Sequence, residues 1–482
     1  MSASATLPAA LILAAGLSSR MKAPGAKSKA LLELHGASLL ERATAALQDG
    51  GIEDILVVTG HDARDVEQGA ARLGLACVHN PDFEQGMFSS VCAGLAALLH
   101  EGALTEDRAF FLLPVDAALI YPTSVAALRG AWQSLPVDQR GRACLLPAFA
   151  GRYGHPPLLG ANLGRALTAY TGRAGVRGYL ASLFPAAQRN AFLRGIAPVA
   201  QPKGMPGPVA AGHLPFLPQA IADTNANAAC FVLHLPDKGL LSDLDQPSDM
   251  TVAAQFLDNT RQRQCFAPQE AWEWLRHAGL GREKTRHSIM VGLAAVRLGL
   301  ALQRRNYKVD LSLHLCGGLL HDIGRGHTRH TELARSWIEA WGMPECALVV
   351  GAHTMLPAPV LGRLGISLRD DPKALDGAGL DSQAYESAGP ELVRACACVY
   401  LADKLFHGDS QVSIARRFER VRARFADDAD ALRVITRREA IAQAVATRLA
   451  EDMADTPDNV VALSGSHALE CLCARMLADC PR

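Results

Sequence analysis

The stretch LILAAG, residues 11–16, sets the architecture of the first half of the chain. It is a short, wholly apolar run that ends in small residues. Comparable runs recur as IEDILVVTG from Ile52, LACVHN from Leu75 and AFFLLPVD from Ala109, and helical stretches separate them. Short strands that are apolar on both faces and alternate with helices are typical of a parallel sheet covered on both sides. The sequence therefore predicts an α/β domain with a mostly parallel sheet and helices on both faces.

From Gln269 onward, strand patterns are replaced by helical periodicity, for example in HSIMVGLAAVRLGLALQRR from His287 and LSLHLCGGLL from Leu311. We therefore expect an α/β domain over residues 1–260, followed along the chain by an all-α domain over residues 268–482. The boundary is expected between Asn259 and Pro268. The segment 195–218, rich in Pro and Gly, is expected to be an insertion or loop near the end of the first domain.

The composition is that of a globular protein without a general electrostatic partner. Of 482 residues, 49% are hydrophobic and 20% charged, and 48 Lys and Arg balance 48 Asp and Glu. This balance argues against nucleic acid or an acidic membrane surface as a partner. The apolar N-terminal run lacks the basic region of a signal peptide, and the 12 cysteines include no CxxC pair. The expected compartment is therefore the cytoplasm.

The loop after the first apolar run carries residues suited to the phosphates of a nucleotide. Gly16 lets the backbone approach an anion, and the loop can aim N–H groups at phosphates. Arg20, with either Lys27 or Lys29, can add cationic contacts. Asp116 ends the last apolar run, and a carboxylate at the carboxyl end of a buried strand can hold Mg²⁺ where parallel sheets bind ligands. These residues predict a nucleotide site at one edge of the sheet.

The second half contains the tetrapeptide HDIG, residues 321–324, among other histidines and aspartates. Adjacent His and Asp can present an imidazole and a carboxylate to the same ion. The candidate ligands are His287, His321, Asp322, His330, His353 and Asp403. Nitrogen and carboxylate donors together suit a hard or borderline divalent metal. Because this chemistry is unrelated to that of the first half, the sequence indicates a bifunctional protein.

Five motifs in the first half occur in an order that resembles the molybdenum cofactor nucleotidyltransferases. They are LAAGLSSRM from Leu13, KALLELHG from Lys29, LPVDAALI from Leu113, RYGHPPLL from Arg152 and GLLSDLDQPSDM from Gly239. The likeness is closest to the cytidylyltransferase branch. It implies a Rossmann-like nucleotide-binding fold and, from Ala-Ala-Gly in the first loop, CTP rather than GTP as the nucleotide.

The resemblance also implies roles for particular residues. The implied nucleotide-binding residues are Ala15, Gly16, Ser18, Arg20 and Lys29. The implied Mg²⁺ ligands are Asp116 and Asp245, and the implied catalytic residues are Arg20, Lys29 and Asp116. The implied acceptor-binding residues are Asn80, Gly86, Ser89, Ser90, Gly154, His155 and Pro156. The chain departs from the family where Lys22 replaces a usual Gly, and in a longer segment before Lys29 that leaves Lys27 as the alternative phosphate contact.

The implied reaction needs no general base, because the terminal phosphate of molybdopterin is already ionised at neutral pH. It would attack the α-phosphate of the nucleotide in line, and pyrophosphate would leave. A molybdenum hydroxylase apoenzyme is a further implied partner. One alternative is a nucleotidyltransferase that acts on a sugar phosphate or another small molecule. Another is a non-catalytic chaperone for the molybdenum cofactor, with the helical domain as a regulatory sensor.

The ligand set of the second half resembles the HD-domain metal-dependent phosphohydrolases. The core ligands of that family match His287, His321, Asp322 and Asp403, and the second-metal positions of binuclear members match His330 and His353. The resemblance implies hydrolysis of a phosphate ester or anhydride with one or two ions such as Mn, Fe, Mg or Zn. Candidate substrates are a nucleotide, a cyclic nucleotide or a molybdopterin-related phosphate. The GYP extension of cyclic-di-GMP phosphodiesterases is absent after HDIG.

Four other residues near these ligands have simpler expectations. Lys404 follows Asp403 and is expected either to contact a substrate phosphate or to be an exposed lysine. His314, His327 and His407 are expected to take no part in metal binding.

Overall fold

A computed structural model describes residues 7–16, 28–100, 102, 104–105, 107–198, 219–221, 228–261, 264–367, 382–407, 410–463 and 467–478. Within these ranges the chain forms two compact units, with the division between Asp258 and Asn259. The predicted loop over 195–218 lies almost wholly outside the described residues. None of the described helices is both long enough and apolar enough to cross a membrane.

The first unit contains a large mixed sheet. Its described strands are β1 (Ala9–Leu13), β2 (Glu33–Leu34), β3 (Ala37–Ser38), β4 (Ile55–Thr59), β5 (Ala76–His79), β6 (Ala109–Pro114), β7 (Ala143–Phe149), β8 (Arg152–Tyr153), β9 (Leu158–Gly160), β10 (Gln219–Ala220) and β11 (Ala229–His234). β2 and β3 form a separate hairpin, and the other nine form one sheet in the order β10-β11-β7-β9-β6-β1-β4-β5, with β8 beside β7. The strands β1, β4, β5, β6, β7 and β11 run in the same direction, which confirms the predicted, mostly parallel sheet.

Three short strands of the sheet run against the others and were not predicted. β9 lies between β6 and β7 and is antiparallel to both, while β8 and β10 are antiparallel to β7 and β11. Each has only two or three residues, which is too short to display a period of two in the sequence. The insertion of β9 separates two strands that would otherwise be neighbours in a purely parallel sheet.

Helices cover both faces of the sheet. They are α1 (Leu39–Asp49), α2 (Ala63–Arg72), α3 (Met87–His100), α4 (Pro122–Gln133), α5 (Val137–Arg140), α6 (Ala161–Thr168), α7 (Gly175–Ser182), α8 (Ala186–Leu193) and α9 (Pro247–Arg261). Leu11 of β1 and Val58 of β4 belong to one apolar cluster with Val91 and Leu95 of α3. Ile12 points to the opposite face because side chains alternate along a strand, and it is equally buried. α1 packs against α4.

The order of the parallel strands determines where the chemistry of this unit lies. β6, β1, β4 and β5 are adjacent and run in the same direction. The residues that follow their carboxyl ends therefore share one edge of the sheet. Gly16 follows β1, Asn80 follows β5 and Asp116 follows β6. Ligands of open α/β sheets bind at this edge.

The described part of the second unit is helical apart from one small hairpin. Its helices are α10 (Pro268–His277), α11 (Arg282–Gln303), α12 (Leu311–Leu320), α13 (His330–Ala340), α14 (Pro344–Ala352), α15 (Ala358–Arg363), α16 (Pro390–Lys404), α17 (Ile414–Arg424), α18 (Ala429–Met453), α19 (Pro457–Leu463) and α20 (His467–Ala478). α12 packs against α11, α14 and α16. α12 begins at Asp310, whose side chain accepts hydrogen bonds from the backbone N–H groups of Ser312 and Leu313.

The prediction that strands vanish after Gln269 is wrong at one place. β12 (Phe406–His407) and β13 (Ser410–Gln411) form an antiparallel hairpin directly after α16. Strands of two residues carry no alternating pattern, so the sequence offers no signal for them.

Helices α11 and α12 cross at glycines. A Cβ atom on Gly318 would collide with the backbone of Gly292, and a Cβ on Gly292 would lie 3.2 Å from the carbonyl oxygen of Leu315. The two backbones therefore touch without an intervening side chain. His287 lies five residues before Gly292, and His321 lies three residues after Gly318. The glycine contact thus brings two of the candidate ligands onto neighbouring helices.

Asp237 is a buried carboxylate that holds the start of the segment GLLSDLDQPSDM, which begins at Gly239. It is fully buried, and it accepts hydrogen bonds from the backbone N–H of Tyr121 (2.8 Å), the hydroxyl of Ser124 (2.6 Å) and the backbone N–H of Gly239 (2.8 Å). Burial raises its pKa to about 6, although these hydrogen bonds act in the opposite direction. Asp237 therefore links the start of α4 to the 3₁₀ turn Lys238–Leu241.

We expect the substitution Asp237→Ala to lower the free energy of unfolding of the first unit by about 3 kcal/mol, because it leaves several buried donors without an acceptor. Differential scanning calorimetry of the full chain would measure the change. Ser124→Ala is the matched control, since it removes only one of these donors and should cost about 1 kcal/mol. Equal effects of the two substitutions would contradict this account of Asp237.

Candidate active sites

Three carboxylates meet at the carboxyl edge of the sheet. Asp116 follows β6, and Asp243 and Asp245 follow the 3₁₀ turn Lys238–Leu241. One oxygen from each lies within 4.8 Å of the others. The sequence indicated Asp116 and Asp245 but missed Asp243. Its signal was available, because residues two apart in an extended segment point to the same side.

Lys29 lies directly against this carboxylate cluster. Its Nζ is 2.7 Å from Oδ2 of Asp116 and 2.6 Å from Oδ1 of Asp245. Desolvation lowers the pKa of Lys29, but the hydrogen bonds and charges of the two carboxylates outweigh it and raise the pKa overall. Desolvation raises the pKa of Asp243, and the negative charges of Asp116 and Asp245 raise it further. Three carboxylates and one ammonium leave this group of side chains with net negative charge.

A cavity of about 360 Å³ opens beside the cluster. This volume lies within the range of small-molecule sites. Its lining includes the predicted nucleotide residues Ala15, Gly16 and Lys29 and the predicted metal residues Asp116 and Asp245. Among the residues that the structure describes, none lies within 4 Å of the place that a Cβ atom on Gly16 would take. Ser18 and Arg20 lie outside the described residues, as does the alternative cation Lys27.

Four of the predicted acceptor residues meet at the start of α3. The side-chain amide of Asn80 donates to the hydroxyls of Ser89 and Ser90, both at 2.9 Å. Gly86 precedes the helix with φ of 99° and ψ of 178°, a conformation that only glycine adopts readily. Gly86 and Ser90 also line the cavity. Asn80 therefore holds the end of β5 against the first turn of α3 at the mouth of the site.

The other predicted acceptor residues are Gly154, His155 and Pro156. This segment packs against the turn Lys238–Leu241, which precedes Asp243 and Asp245. The backbone N–H of His155 donates to the carbonyl of Leu240 at 2.8 Å. A Cβ atom on Gly154 would collide with the same carbonyl. The His155–Pro156 peptide bond is cis. Desolvation lowers the pKa of His155 while the charge of Asp116 raises it, so the imidazole lies within electrostatic range of the carboxylates.

The second unit brings all six of its predicted ligands together in two groups of three. His287, His321 and Asp403 form the first group, and Asp322, His330 and His353 form the second. In each group, one donor atom per residue lies within 4.8 Å of the donor atoms of the other two. His287 and Asp403 come from α11 and α16, whereas His321 and His353 cap the ends of α12 and α14. His330 is the first residue of α13.

Asp322 lies between the two groups. Its Oδ2 is 3.8 Å from Nε2 of His321, while its Oδ1 is 3.7 Å from Nε2 of His330 and 3.9 Å from Nε2 of His353. In the first group, Oδ1 of Asp403 is 3.2 Å from Nε2 of His287 and 3.7 Å from Nε2 of His321. Donors bonded to one ion at about 2.0–2.2 Å lie about 3 Å or more apart, so these spacings fit coordination after a small contraction.

Backbone carbonyls orient two of the imidazoles. Nδ1 of His321 is 2.8 Å from the carbonyl of Gly318, and Nδ1 of His353 is 2.6 Å from the carbonyl of Val350. The Nδ1 proton is donated to the carbonyl in each case, which leaves the Nε2 lone pair facing the aspartates. The buried Nε2 atoms of His321 and His330 make no hydrogen bond within the described part of the chain. Unbonded buried nitrogens that face carboxylates are expected of metal ligands.

The protonation states also suit a metal centre. Desolvation lowers the pKa values of His321 and His330, and it lowers the pKa of His353 to about 3. Burial by itself would raise the pKa of Asp322, but His321, His353 and Arg325 outweigh it and lower the pKa to about 2. Near neutral pH these three imidazoles are therefore neutral and Asp322 is ionised, as metal binding requires.

Lys404 is buried, so the expectation of an exposed lysine is wrong, while its contact with a substrate phosphate stays a prediction. It is 7% exposed, and its Nζ donates to Oδ2 of Asp403 at 2.6 Å and to the carbonyl of His353 at 2.8 Å. Two polar contacts and the ring of Tyr400, 4.7 Å away, hold the ammonium inside the helical unit. Lys404 therefore positions Asp403, and it links the helices that end at His353 and Lys404.

Gly324 of HDIG has a steric role. A Cβ atom at this position would collide with the carbonyl oxygen of His330. The glycine thus allows the start of α13, with His330, to come back against the HDIG segment. His314, His327 and His407 belong to neither ligand group among the described residues.

The donor sets distinguish the metals that each site suits. The cluster of Asp116, Asp243 and Asp245 offers only carboxylate oxygens, which suit Mg²⁺. The second unit offers imidazole nitrogens with carboxylates, which suit Mn, Fe or Zn ions. The residues present therefore fit divalent metals at both sites.

Two family models match the chain at the two sites. Residues 10–188 match the MobA-like NTP transferase domain, and residues 285–406 match the HD domain. The first stretch contains Gly16, Lys29 and Asp116, whereas Asp243 and Asp245 follow it. The second stretch contains all six candidate ligands of the helical unit.

Several known proteins are similar to parts of the chain. Nicotine blue oxidoreductase of Paenarthrobacter nicotinovorans is 31% identical over 171 residues, which cover 35% of this chain and 79% of that protein. The bifunctional IPC transferase and DIPP synthase of Rubrobacter xylanophilus is 38% identical over 92 residues. This match covers 18% of this chain, and the chain spans only 21% of the length of that relative. Among solved structures, a nucleotidyl transferase from Methanothermobacter thermautotroptrophicus has a TM-score of 0.36 at 17% identity, covering 53% of this chain and 99% of that chain.

Proposed function

Because the chain belongs to the MobA-like NTP transferases through residues 10–188 and carries an HD domain over residues 285–406, we propose that it transfers CMP from CTP to molybdopterin and hydrolyses a phosphoester at a second site. The transferase half rests on the Asp116, Asp245 and Lys29 cluster beside an open cavity. The hydrolase half rests on two ligand groups that share the space around Asp322.

In the transferase proposal, the residues of the first unit bind and orient phosphates. The cavity that Gly16 lines takes the nucleotide phosphates. Asp116 and Asp245 hold Mg²⁺, which supplies neutralisation of the phosphate charge when bound. Asn80 and the hydroxyls of Ser89 and Ser90 position the acceptor at the start of α3. An acceptor phosphate is a nucleophile without help from a base, so in-line orientation is the main task of these residues.

The name of one relative raises a different possibility, since nicotine blue oxidoreductase shares the first domain. Hydride transfer has no use for a carboxylate cluster paired with a lysine, whereas binding of a metal and a polyphosphate needs both signs of charge. The cluster around Lys29 therefore favours nucleotidyl transfer. Release of pyrophosphate distinguishes the two activities, because hydride transfer produces none.

In the hydrolase proposal, the two ligand groups bind two divalent ions, which supply Lewis acidity toward a phosphate when bound. His321 and His353 present fixed Nε2 atoms, and Lys404 fixes Asp403 through its carboxylate. Asp322 belongs to the second group and also faces His321 of the first, so it would help to hold ions at both groups. A nucleotide, a cyclic nucleotide or a molybdopterin-related phosphate remains the candidate substrate class.

The two activities need separate backgrounds, because hydrolysis of CTP at the HD site would hide slow transfer. We would therefore assay transfer in the Asp322→Ala variant of the full chain, with Mg²⁺, CTP or GTP, and molybdopterin, a sugar phosphate or no acceptor. The proposal predicts pyrophosphate release that requires molybdopterin and favours CTP. Release with a sugar phosphate alone would support the rival transferase, and molybdopterin binding without release would support a chaperone.

The substitution Gly16→Ala tests the phosphate loop without disturbing the fold. A Cβ atom there meets no atom of the described residues within 4 Å, so we expect normal thermal stability but about tenfold or more weaker CTP binding, since the methyl group occupies the space proposed for phosphate. Isothermal titration calorimetry would measure the affinity. Gly130→Ala on α4 is the matched control, because its Cβ also meets nothing within 4 Å and Gly130 is not among the residues that line the cavity. Unchanged CTP affinity in Gly16→Ala would contradict the placement of the phosphates.

A further inference from the structure

The ammonium of Lys29 lies where a divalent cation bound by Asp116 and Asp245 would lie. The ammonium contacts Oδ2 of Asp116 at 2.7 Å and Oδ1 of Asp245 at 2.6 Å. We propose that Lys29 is an internal counter-ion, which blocks the carboxylates against free metal and leaves them when a nucleotide's phosphates enter the cavity. This inference rests on the proposed transferase function and concerns the order in which metal and nucleotide bind.

The contacts of Lys29 exclude simultaneous occupation of the same oxygen atoms. A Mg²⁺ ion would bind carboxylate oxygens at about 2.1 Å, so an ion on these two atoms would compete with the ammonium for the same lone pairs and repel it at close range. The side chain of Lys29 is only 12% exposed, so water screens this repulsion weakly. A metal therefore binds Asp116 and Asp245 more weakly while Lys29 contacts them than when Lys29 has another anion to contact.

The cavity supplies the place where that anion would bind. Lys29, Gly16, Asp116 and Asp245 all line it, so a phosphate in front of Gly16 would lie in the same enclosed space as the ammonium. Lysine carries its charge on a flexible four-carbon chain and can exchange one anionic partner for another. Lys29 thus couples the two ligands, because a nucleotide that attracts the ammonium uncovers the metal site.

Charge explains why such a counter-ion is useful. Asp116, Asp243 and Asp245 place three carboxylates within 4.8 Å of one another. Without a cation their mutual repulsion would oppose the packing of the turn Lys238–Leu241 against the sheet edge. Lys29 offsets part of that repulsion in the absence of metal, and Mg²⁺ takes over this role when the nucleotide delivers it.

The test is the affinity of Mn²⁺ for the first unit in the absence of nucleotide, measured by electron paramagnetic resonance of free Mn²⁺. All proteins are full-length and carry Asp322→Ala, so that ions at the HD site do not contribute. We expect Lys29→Met to bind Mn²⁺ about tenfold or more tightly than the parent. Lys29→Gln repeats the test with a neutral side chain that still donates hydrogen bonds, and the same direction of change is expected.

Two controls separate direct occupation from a general effect of charge. Lys238→Met removes a positive charge from the turn that precedes Asp243 and Asp245. The ammonium of Lys238 lies over the ring of Phe256, 5.9 Å from its centroid. This substitution should change the Mn²⁺ affinity less than about twofold. Lys29→Arg keeps the charge and should leave the affinity near that of the parent. A non-hydrolysable CTP analogue should tighten Mn²⁺ binding in the parent more than in Lys29→Met.

The outcomes distinguish this inference from the proposed function. Equal Mn²⁺ affinity in the parent and in both neutral variants would overturn the counter-ion role but leave the transferase site intact. Tighter binding in Lys238→Met to the same extent as in Lys29→Met would also overturn it, since the effect would then be one of general charge. Absence of Mn²⁺ binding in every protein, with or without the CTP analogue, would contradict the metal site of the transferase itself.

Discussion

The Asp322→Ala variant should lose both metal ions of the HD unit and, with them, about a thousandfold or more of its hydrolytic rate. Asp322 has this effect because each of its oxygens faces a different group of imidazoles, at 3.8 Å for Oδ2 and His321 and at 3.7 Å for Oδ1 and His330. Its removal also leaves the neutral imidazoles without the negative charge that attracts a cation. Inductively coupled plasma mass spectrometry of the purified protein would count the ions per chain.

Single histidine substitutions provide a graded comparison for this variant. His287→Gln affects only the first group and should cost one ion, whereas His330→Gln affects only the second group and should cost the other. His327→Gln is the matched control, because His327 belongs to neither group and packs edge-on against Trp337. If Asp322→Ala retained both ions, our assignment of the ligands would be wrong. Loss of both ions from His287→Gln would contradict their division into two groups.

The substitution Asp116→Asn should reduce nucleotidyl transfer by about a thousandfold while leaving the metal content and hydrolytic rate of the HD unit unchanged. The amide keeps the size of the side chain but removes a charge from the cluster that Lys29 and Asp245 share. One charge fewer weakens binding of Mg²⁺, and the amide nitrogen cannot serve as its ligand. Pyrophosphate release from CTP with molybdopterin would measure the loss, in the Asp322→Ala background.

Asp54→Asn is the control for this result. Asp54 precedes β4 and pairs with Arg108 at 3.1 Å, so it resembles Asp116 in having a cationic partner. It lies before the amino end of its strand, whereas Asp116 follows the carboxyl end of β6. We expect Asp54→Asn to change transfer less than about twofold, since surface ion pairs contribute little. Similar losses from both substitutions would show that Asp116 acts through folding and not through the site.

The sequence was sufficient to predict those features that leave a regular pattern of apolar residues or a characteristic spacing of polar ones. Apolar runs such as that of β1 predicted the parallel strands, because burial on both faces requires apolar residues at every position. HDIG and its partners predicted six candidate ligands in the helical unit, since a metal centre needs particular side chains, and the structure brings all six together in two groups of three. Residues such as Asp116 were predictable from their position after a buried strand.

The remaining features depend on contacts that no local pattern records. β9 spans Leu158–Gly160, and only its neighbours on both sides make it a strand. Lys404 looks like a surface lysine in the sequence, yet the carboxylate of Asp403 and a distant carbonyl from His353 stabilise its buried ammonium. Asp243 joins the first site because the chain after the turn Lys238–Leu241 brings its carboxylate within 4.8 Å of those of Asp116 and Asp245.

The glycine crossing of α11 and α12 has a consequence for how the second site forms. Because Gly292 and Gly318 bring the two backbones into direct contact, the separation of His287 and His321 is set by main-chain packing and not by adjustable side chains. The ligands are therefore arranged before any ion arrives, and little conformational entropy remains to be lost on binding. Rates of metal uptake in the cell would then follow the supply of the ion, since the protein does not have to rearrange to receive it.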